Sequence, residues 1–178
     1  MKITATPLAD LLLIEPTVFS DERGCFFESF NQQKFNAATG LDLCFVQDNQ
    51  TSSQHNVLRG LHYQLAPQAQ GKLVRVLAGE IFDVAVDLRP DSNSLGQSFT
   101  LRLSAENRRQ LWIPEGFAHG FLVLSATAEV LYKATAYYAP SLERSIAWND
   151  PDLAIAWPDQ GKAPILSAKD AAAPHYKA

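Results

Sequence analysis

An arginine and a histidine, Arg59 and His62, stand three positions apart in the strand-forming run Val57–Gln64, V-L-R-G-L-H-Y-Q. Facing one cavity, they would pair a group that takes up a proton with a group that holds an anion. Strict alternation along a strand sends residues three apart to opposite faces. Gly60 lies between them, and glycine in a strand interior marks a bulge or a close backbone approach. A bulge or sharp twist at Gly60 would turn both side chains into the same cavity. The other reading of this stretch alone makes His62 a satisfied core histidine and Arg59 a surface charge.

The elements that must position such residues are strands. Runs with period-two patterning, separated by turn residues, predict strands near Leu11–Thr17, Cys25–Phe30, Leu43–Asn49, Val57–Gln64, Lys72–Ala78 and Glu80–Leu88. Further strands are predicted near Gln97–Leu103, Gln110–Ile113, Ala118–Leu124 and Glu129–Tyr137. The clearest is Glu80–Leu88, where Phe82, Val84, Val86 and Leu88 alternate with Ile81, Asp83, Ala85 and Asp87. Gly79-Glu80 before it has the form of a tight turn from the preceding strand. A short helix is expected between Asn31 as N-cap and Gly40 past its end. So many strands in one domain spanning residues 1–178 imply an all-β sandwich or barrel, closed to avoid exposed edges.

The last forty or so residues change character, with turns at Asn149-Asp150-Pro151-Asp152, Trp157-Pro158 and Ala163-Pro164. Ser167-Ala168-Lys169-Asp170 has the spacing of a capping box and predicts a short helix from Ser167. The final stretch, Ala171–Ala178, reads as a frayed end.

Composition narrows the classes of function. A chain of 178 residues with net charge −4 has no basic footprint for nucleic acid or an anionic membrane. An anionic ligand would have to be met by a few local arginines and lysines. Cys25 and Cys44 suggest no disulfide framework, and the short apolar run Leu11–Ile14, flanked by Asp10 and Glu15, is not a signal peptide. No stretch reaches transmembrane length. These features predict a soluble cytoplasmic protein.

The most specific local signal is Pro114-Glu115-Gly116-Phe117-Ala118-His119, which fits the P-x-G-x-x-H pattern of the second cupin motif. It points to a cupin-type jelly-roll barrel with short peripheral helices, whose interior houses the site. Metal-binding cupins carry H-x-H and a nearby glutamate in their first motif. The matching positions here read His62-Tyr63-Gln64, and no glutamate follows before Glu80. A protein metal site needs three or four ligands, and His62 with His119 is too few. The reading is a cavity without metal, with Lys72 at the matching depth.

Several motifs in order resemble the dTDP-4-dehydrorhamnose 3,5-epimerase family of the pathway to dTDP-L-rhamnose. They are R-G-x-F-x-E-S-F at Arg23–Phe30, Q-D-N-x at Gln47–Gln50, V-L-R-G-L-H-Y-Q, Q-G-K-L-V-R-V at Gln70–Val76, W-I-P-x-G-F-A-H-G-F at Trp112–Phe121 and L-Y-K at Leu131–Lys133. The resemblance runs from Asp21 to Asp170. Thr51 departs from the usual serine after Q-D-N-x while keeping the hydroxyl.

The resemblance implies a deoxysugar with a C4 ketone, joined through a diphosphate to thymidine, and inversion at C3 and C5 by proton removal and return. Such chemistry needs a base, an enolate stabiliser and an acid across the ring, and no cofactor. The resemblance makes His62 the base, Asp170 its orienting carboxylate, Lys72 the stabiliser of the C4 oxygen and Tyr132 the acid. Asp170 could instead simply complete the Ser167 cap. Tyr132 and Tyr138 share strand parity, so an unbroken strand would put both in one cavity.

For binding, the resemblance implies Arg23 and Arg59 on the diphosphate and Tyr138 stacking on the thymine, with Tyr137 a possible confusion. It places Gln47, Asp48, Asn49, Glu28, His119, Glu143 and Lys169 at ligand-contacting positions. It further implies a homodimer in which Glu28 reaches across the interface. Two rivals stay open: an epimerase acting at C3 only or C5 only, and a cupin that binds a ligand without catalysis or uses a metal.

Overall fold

The alternating runs become two antiparallel sheets. A computed structural model describes residues 1–176. Its strands are β1 (Lys2–Ala5), β2 (Leu12–Glu15), β3 (Phe19–Asp21), β4 (Gly24–Phe26), β5 (Gln47–Gln54), β6 (Leu58–Gln64), β7 (Lys72–Ala78), β8 (Glu80–Asp87), β9 (Ser98–Ser104), β10 (Gln110–Ile113), β11 (Phe117–Val123), β12 (Thr127–Ala134) and β13 (Glu143–Ser145). The helices are α1 (Gln32–Thr39) and α2 (Ala168–Ala171). One sheet runs β1-β2-β10-β7-β12-β5 and the other β13-β6-β11-β8-β9, with β3 and β4 forming a separate two-stranded arm. This is the expected all-β, cupin-type jelly roll with short peripheral helices.

Alternation decides what each sheet buries. Val74, Val76, Leu111, Ile113 and Val130 of the six-stranded sheet meet Ile81, Ala85, Leu103, Phe117 and Phe121 of the five-stranded sheet in one core. The outer face of the five-stranded sheet, through Leu61, Val84, Val86 and Ala118, is covered by Ile146, Leu153, Trp157 and Tyr176. That of the six-stranded sheet, through Ile14, Leu73 and Trp112, is covered by Phe35 of α1 with Phe30 and Phe45. Both sheets are therefore buried on two faces over much of their area, each buried Leu or Phe side chain contributing roughly 1.5–3 kcal/mol. Along β7 the interior changes from site to core: Lys72 lines a cavity, while Val74 and Val76 join the apolar plug.

Several boundaries differ from the sequence expectations. Helix α1 has Asn31 as N-cap, its side chain accepting from the Lys34 N–H, and Gly40 in the left-handed region at its C-cap, as expected. The run expected as a strand from Cys25 to Phe30 ends at Phe26, since Phe30 turns to pack on Phe35 and Phe45. The strand expected over Leu43–Asn49 instead spans Gln47–Gln54, where pairing with β12 recruits the polar residues Gln50 to Gln54. Strands β1, β3 and β13 carried no recognised signal. Gly79, at φ +77°, makes a tight corner, but β7 and β8 belong to different sheets, so the turn carries the chain across the barrel rather than closing a hairpin.

The C-terminal stretch is not frayed through Tyr176. Ala147 N–H donates to the Pro174 carbonyl at 2.8 Å and Tyr176 N–H to Asp150 at 2.6 Å. Lys177 and Ala178, the end of that stretch and of the expected domain, lie outside the described residues.

Candidate active site

The bulge expected at Gly60 is present. His119 of β11 pairs with His62 and Phe121 with Arg59, so Gly120 alone opposes Gly60 and Leu61. Gly60 has φ +119°, and a Cβ there would sit 2.5 Å from Gly120 Cα and 2.7 Å from the His119 carbonyl oxygen. Only glycine fits both demands. The slipped register turns Arg59 and His62 into one cavity of about 220 Å³ between the sheets. Lys72, His119, Tyr132, Tyr138, Glu143 and Asp170 also line it.

His62 Nε2 lies 2.5 Å from Asp170 Oδ1. Asp170 Oδ2 accepts from Ser167 Oγ at 2.8 Å, and Ser167 Oγ accepts the Asp170 N–H as the cap of α2. The cap and the histidine contact thus coexist on two oxygens of one carboxylate. Burial opposes ionisation of Asp170, but the bonds from His62 and Ser167 outweigh it and hold the group below its usual range. An ionised carboxylate only accepts, so Nε2 carries a hydrogen, and in the neutral imidazole Nδ1 is then the nitrogen with the lone pair.

Lys72 is 8% exposed and donates to the His62 carbonyl oxygen at 3.2 Å. Its Nζ stands 5.9 Å from the centre of the Tyr132 ring. Burial lowers its pKa to about 8, against the opposing fields of Glu143 and Asp83. Tyr132 projects from β12, on the sheet opposite His62, and burial together with Glu143 pushes its phenol up against the pull of Arg59. Arg59 is held by Ser53, Nε to Oγ at 3.0 Å.

Around the mouth, Tyr138 Oη donates to Glu143 Oε2 at 2.8 Å, and Lys169 Nζ stands 2.5 Å from the same oxygen. Burial would raise the Glu143 carboxyl, yet Lys169 and Tyr138 hold it low. Gln47 accepts the Tyr138 N–H and donates to Asn49 at 3.0 Å. Strand β12 ends at Ala134, so the parity argument linking Tyr132 to Tyr138 fails, and Tyr138 reaches the cavity from the following turn. Tyr137 lies outside the lining and offers its carbonyl to Gln64.

Six expected residues do not line the cavity of their own chain: Gln47, Asn49 and Lys169 bond to one another or to lining residues at its mouth, and Asp48, Arg23 and Glu28 are paired elsewhere. Asp48 has the opposite parity to Gln47 and Asn49 and pairs with Lys133 at 2.8 Å on the outer face. Arg23 pairs with Asp21 in the β3–β4 arm, and Glu28 with Lys34 beside α1. Sequence reading missed Asp83, a fully buried carboxylate whose Oδ1 lies 2.8 Å from His119 Nε2 and whose Oδ2 has no hydrogen-bond partner among the described residues. Its signal was a charged residue in the apolar Glu80–Leu88 run, which must find a partner when buried. Thr51, Tyr63, Gln70 and Ser167 also line the cavity without having been proposed for it.

Gln64 stands where a metal-binding cupin places its second histidine. Its side chain is taken up by backbone, donating to the Gln68 and Tyr137 carbonyls and accepting the Ala139 N–H at 2.8 Å. That anchors the turn carrying Tyr138. Among the described residues no group of three His, Cys, Asp or Glu side chains is placed to hold a metal ion.

A profile of the dTDP-4-dehydrorhamnose 3,5-epimerase family matches residues 5–178. The chain is 60% identical over 174 residues to the dTDP-4-dehydrorhamnose 3,5-epimerase of Salmonella typhimurium, covering 98% of this chain and 94% of that one. A crystal structure of the dTDP-6-deoxy-D-glucose-3,5-epimerase of Legionella pneumophila, in complex with dTDP-4-keto-L-rhamnose, superposes with TM-score 0.94 at 55% identity, covering 98% and 92%. A 3'-monoepimerase from Streptomyces bikiniensis, in complex with dTDP-quinovose, is more distant, with TM-score 0.89, 34% identity and coverage of 96% and 85%.

Proposed function

The chain belongs to the dTDP-4-dehydrorhamnose 3,5-epimerase family, and we propose that it performs that reaction with His62 as base, Lys72 as enolate stabiliser and Tyr132 as acid. It epimerises C3 and C5 of dTDP-4-dehydro-6-deoxy-D-glucose, giving dTDP-4-dehydro-L-rhamnose. The observation that carries the assignment of residues is that His62 and Tyr132 enter one cavity from opposite sheets, with Lys72 in the same cavity.

A proton beside the ketone passes to His62 Nδ1, and Asp170 stabilises the imidazolium through Nε2. Charge moves onto the C4 oxygen, where the Lys72 ammonium meets it in a desolvated site that strengthens the attraction. Tyr132 delivers a proton to the opposite face of the carbanion. Exchange with solvent then restores a neutral histidine and a phenol. Arg59 holds the diphosphate, Tyr138 stacks on the thymine, and Gln47, Asn49, His119, Glu143 and Lys169 complete the binding.

Incubation with the substrate in deuterated water tests the assignment. Label should enter at both carbons with inversion, and His62→Ala should slow exchange by about 10²–10⁴-fold with nucleotide binding retained. Exchange by His62→Ala at wild-type speed would overturn it. Activity should survive exhaustive chelation, since Gln64 is committed to the backbone.

The reading includes a homodimer and the reducing cytoplasm. Arg23 and Glu28 lie away from their own cavity, and the arm that holds Arg23 exposes Phe19 and Phe26 at 64% and 72%. An arm crossing to a second copy would cover those rings and bring Arg23 to the diphosphate, Glu28 following as a partner contact. Mixing Arg23→Ala with His62→Ala chains should restore activity through mixed dimers, and failure of re-associated mixtures to recover would remove this part. Both cysteines are free, and among the described residues no helix is long and apolar enough to cross a membrane.

A further inference from the structure

Helix α2, which carries Asp170, is a single turn and cannot hold itself in place. Its position depends on what anchors the chain on either side. On the N-terminal side, Ile165 exchanges backbone bonds with Asn56 at 2.8 Å and Leu58 at 3.0 Å. On the C-terminal side the anchors are the Ala147 bond to Pro174, the packing of Tyr176 and the carboxylate of Asp150, which belongs to the N-D-P-D turn to which no part of the mechanism assigns a role.

Asp150 is 2% exposed. Its Oδ1 accepts the N–H groups of Asp152 at 2.9 Å and Leu153 at 3.1 Å, which fixes its own turn. Its Oδ2 reaches the other end of the chain, accepting the Tyr176 N–H at 2.6 Å and facing His175 Nδ1 at 3.1 Å. Burial works against the charge, but these donors outweigh it and keep the carboxyl below its usual range. Next to this clamp, Ala147 N–H donates to Pro174 O, and Ile146 exchanges two backbone bonds with Leu61, the residue before His62. The contacts close a ring: His62 to Asp170, through α2 to Pro174 and Tyr176, to Ala147 and Asp150, and through Ile146 back to Leu61.

We infer that Asp150 is a positioning residue for the epimerisation, its buried carboxylate holding the C-terminal segment so that Asp170 keeps its bond to His62. The inference rests on the reading of Asp170 as the orienting carboxylate. Asp150 touches neither the cavity lining nor the reacting atoms.

The test is deuterium exchange at C3 and C5 in Asp150→Asn, with kcat and KM measured separately. An amide cannot accept on both sides, so one pair of bonds is lost. Exchange and kcat should fall about ten- to a hundredfold, the scale expected when a catalytic group is displaced by an ångström or less, with KM little changed. In an Asp170→Asn background the second substitution should add almost nothing, because coupled residues are not additive. Tyr176→Pro removes the N–H on Oδ2 and should slow exchange relative to Tyr176→Ala, which removes the ring and keeps the N–H. This pair decides the matter if Asp150→Asn does not fold. Wild-type exchange in folded Asp150→Asn, a full additional loss on top of Asp170→Asn, or equal rates in the two Tyr176 variants would overturn the inference. Wild-type exchange in Asp170→Asn would overturn the underlying reading of Asp170, and with it this inference.

Discussion

Arg59 and His62 are three residues apart on one strand and yet face the same cavity, because β6 spends an extra residue against β11 at Gly60. Without that slip, alternation would leave one of them outside the barrel. Gly60→Ala is the sharpest probe of this relationship. The new methyl meets Gly120 and the His119 carbonyl well inside contact distance, at a φ that alanine resists. The variant should lose about 2 kcal/mol or more in denaturant unfolding, and activity should fall together with nucleotide affinity, since the proposed base and the proposed anion holder are displaced jointly. An unchanged unfolding midpoint would show that the bulge tolerates a side chain.

That bulge was legible because a glycine weakens a strand interior unless the backbone must bend or approach closely there. Its polar neighbours Arg59 and His62, in an otherwise apolar run, gave the bend a purpose. The second cupin motif likewise singled out His119, which lines the cavity. What could not be read shares one cause, pairing with residues far away in the chain. Gln50–Gln54 are polar and carry no strand pattern, yet β12 makes them a strand. Asp83 and Asp150 find their partners 36 and 26 positions away. The alanine-rich end looked frayed because its anchor lies in a turn that local reading treats only as punctuation. Asp48 was misplaced for the opposite reason: its motif suggested the site, and period-two geometry sends it to the other face.

The acidity of Lys72 gives a pH prediction. Burial brings its pKa to about 8, so it is mostly a cation at neutral pH and loses its charge as pH rises through that value. kcat/KM, which reports the free enzyme, should therefore decline above about pH 8. Tyr132 titrates above the ordinary tyrosine range and cannot produce that limb. Lys72→Gln should be slow and lack the decline. A limb near pH 8 that persists in Lys72→Gln would assign it elsewhere.

Asp87 sets a prediction for stability in acid. Its buried carboxylate accepts from Arg89 Nε at 2.9 Å and Nη2 at 2.7 Å and from the Ser92 and Ser94 hydroxyls. Burial alone would raise its pKa, but these donors hold it far below the usual range. A depressed folded-state pKa contributes stability above the unfolded carboxyl value of about 3.9, and that contribution is lost as pH falls below it. Asp87→Asn should cost roughly 1–3 kcal/mol at pH 7, since it removes a charged acceptor from Arg89, Ser92 and Ser94 while Arg89 keeps Asp10 at 2.7 Å. Its unfolding free energy should also fall less steeply between pH 5 and pH 3. Equal slopes in the two proteins would mean that acid unfolding is driven by other carboxylates.

Inversion requires two groups on opposite sides of the sugar, so deprotonation and inversion should separate when only one is removed. Tyr132 stands on the six-stranded sheet and His62 on the five-stranded sheet. Tyr132→Phe keeps the ring that packs against the core and removes only the hydroxyl. His62 can then still take the proton, exchange it with solvent and return deuterium to the face it came from. The variant should incorporate label with retained configuration and form little epimerised product, most clearly at C5. Slow inversion through solvent is compatible with this, because water can replace a missing acid at a lower rate. Inversion at both carbons at the wild-type rate is not, and it would return Tyr132 to a packing role.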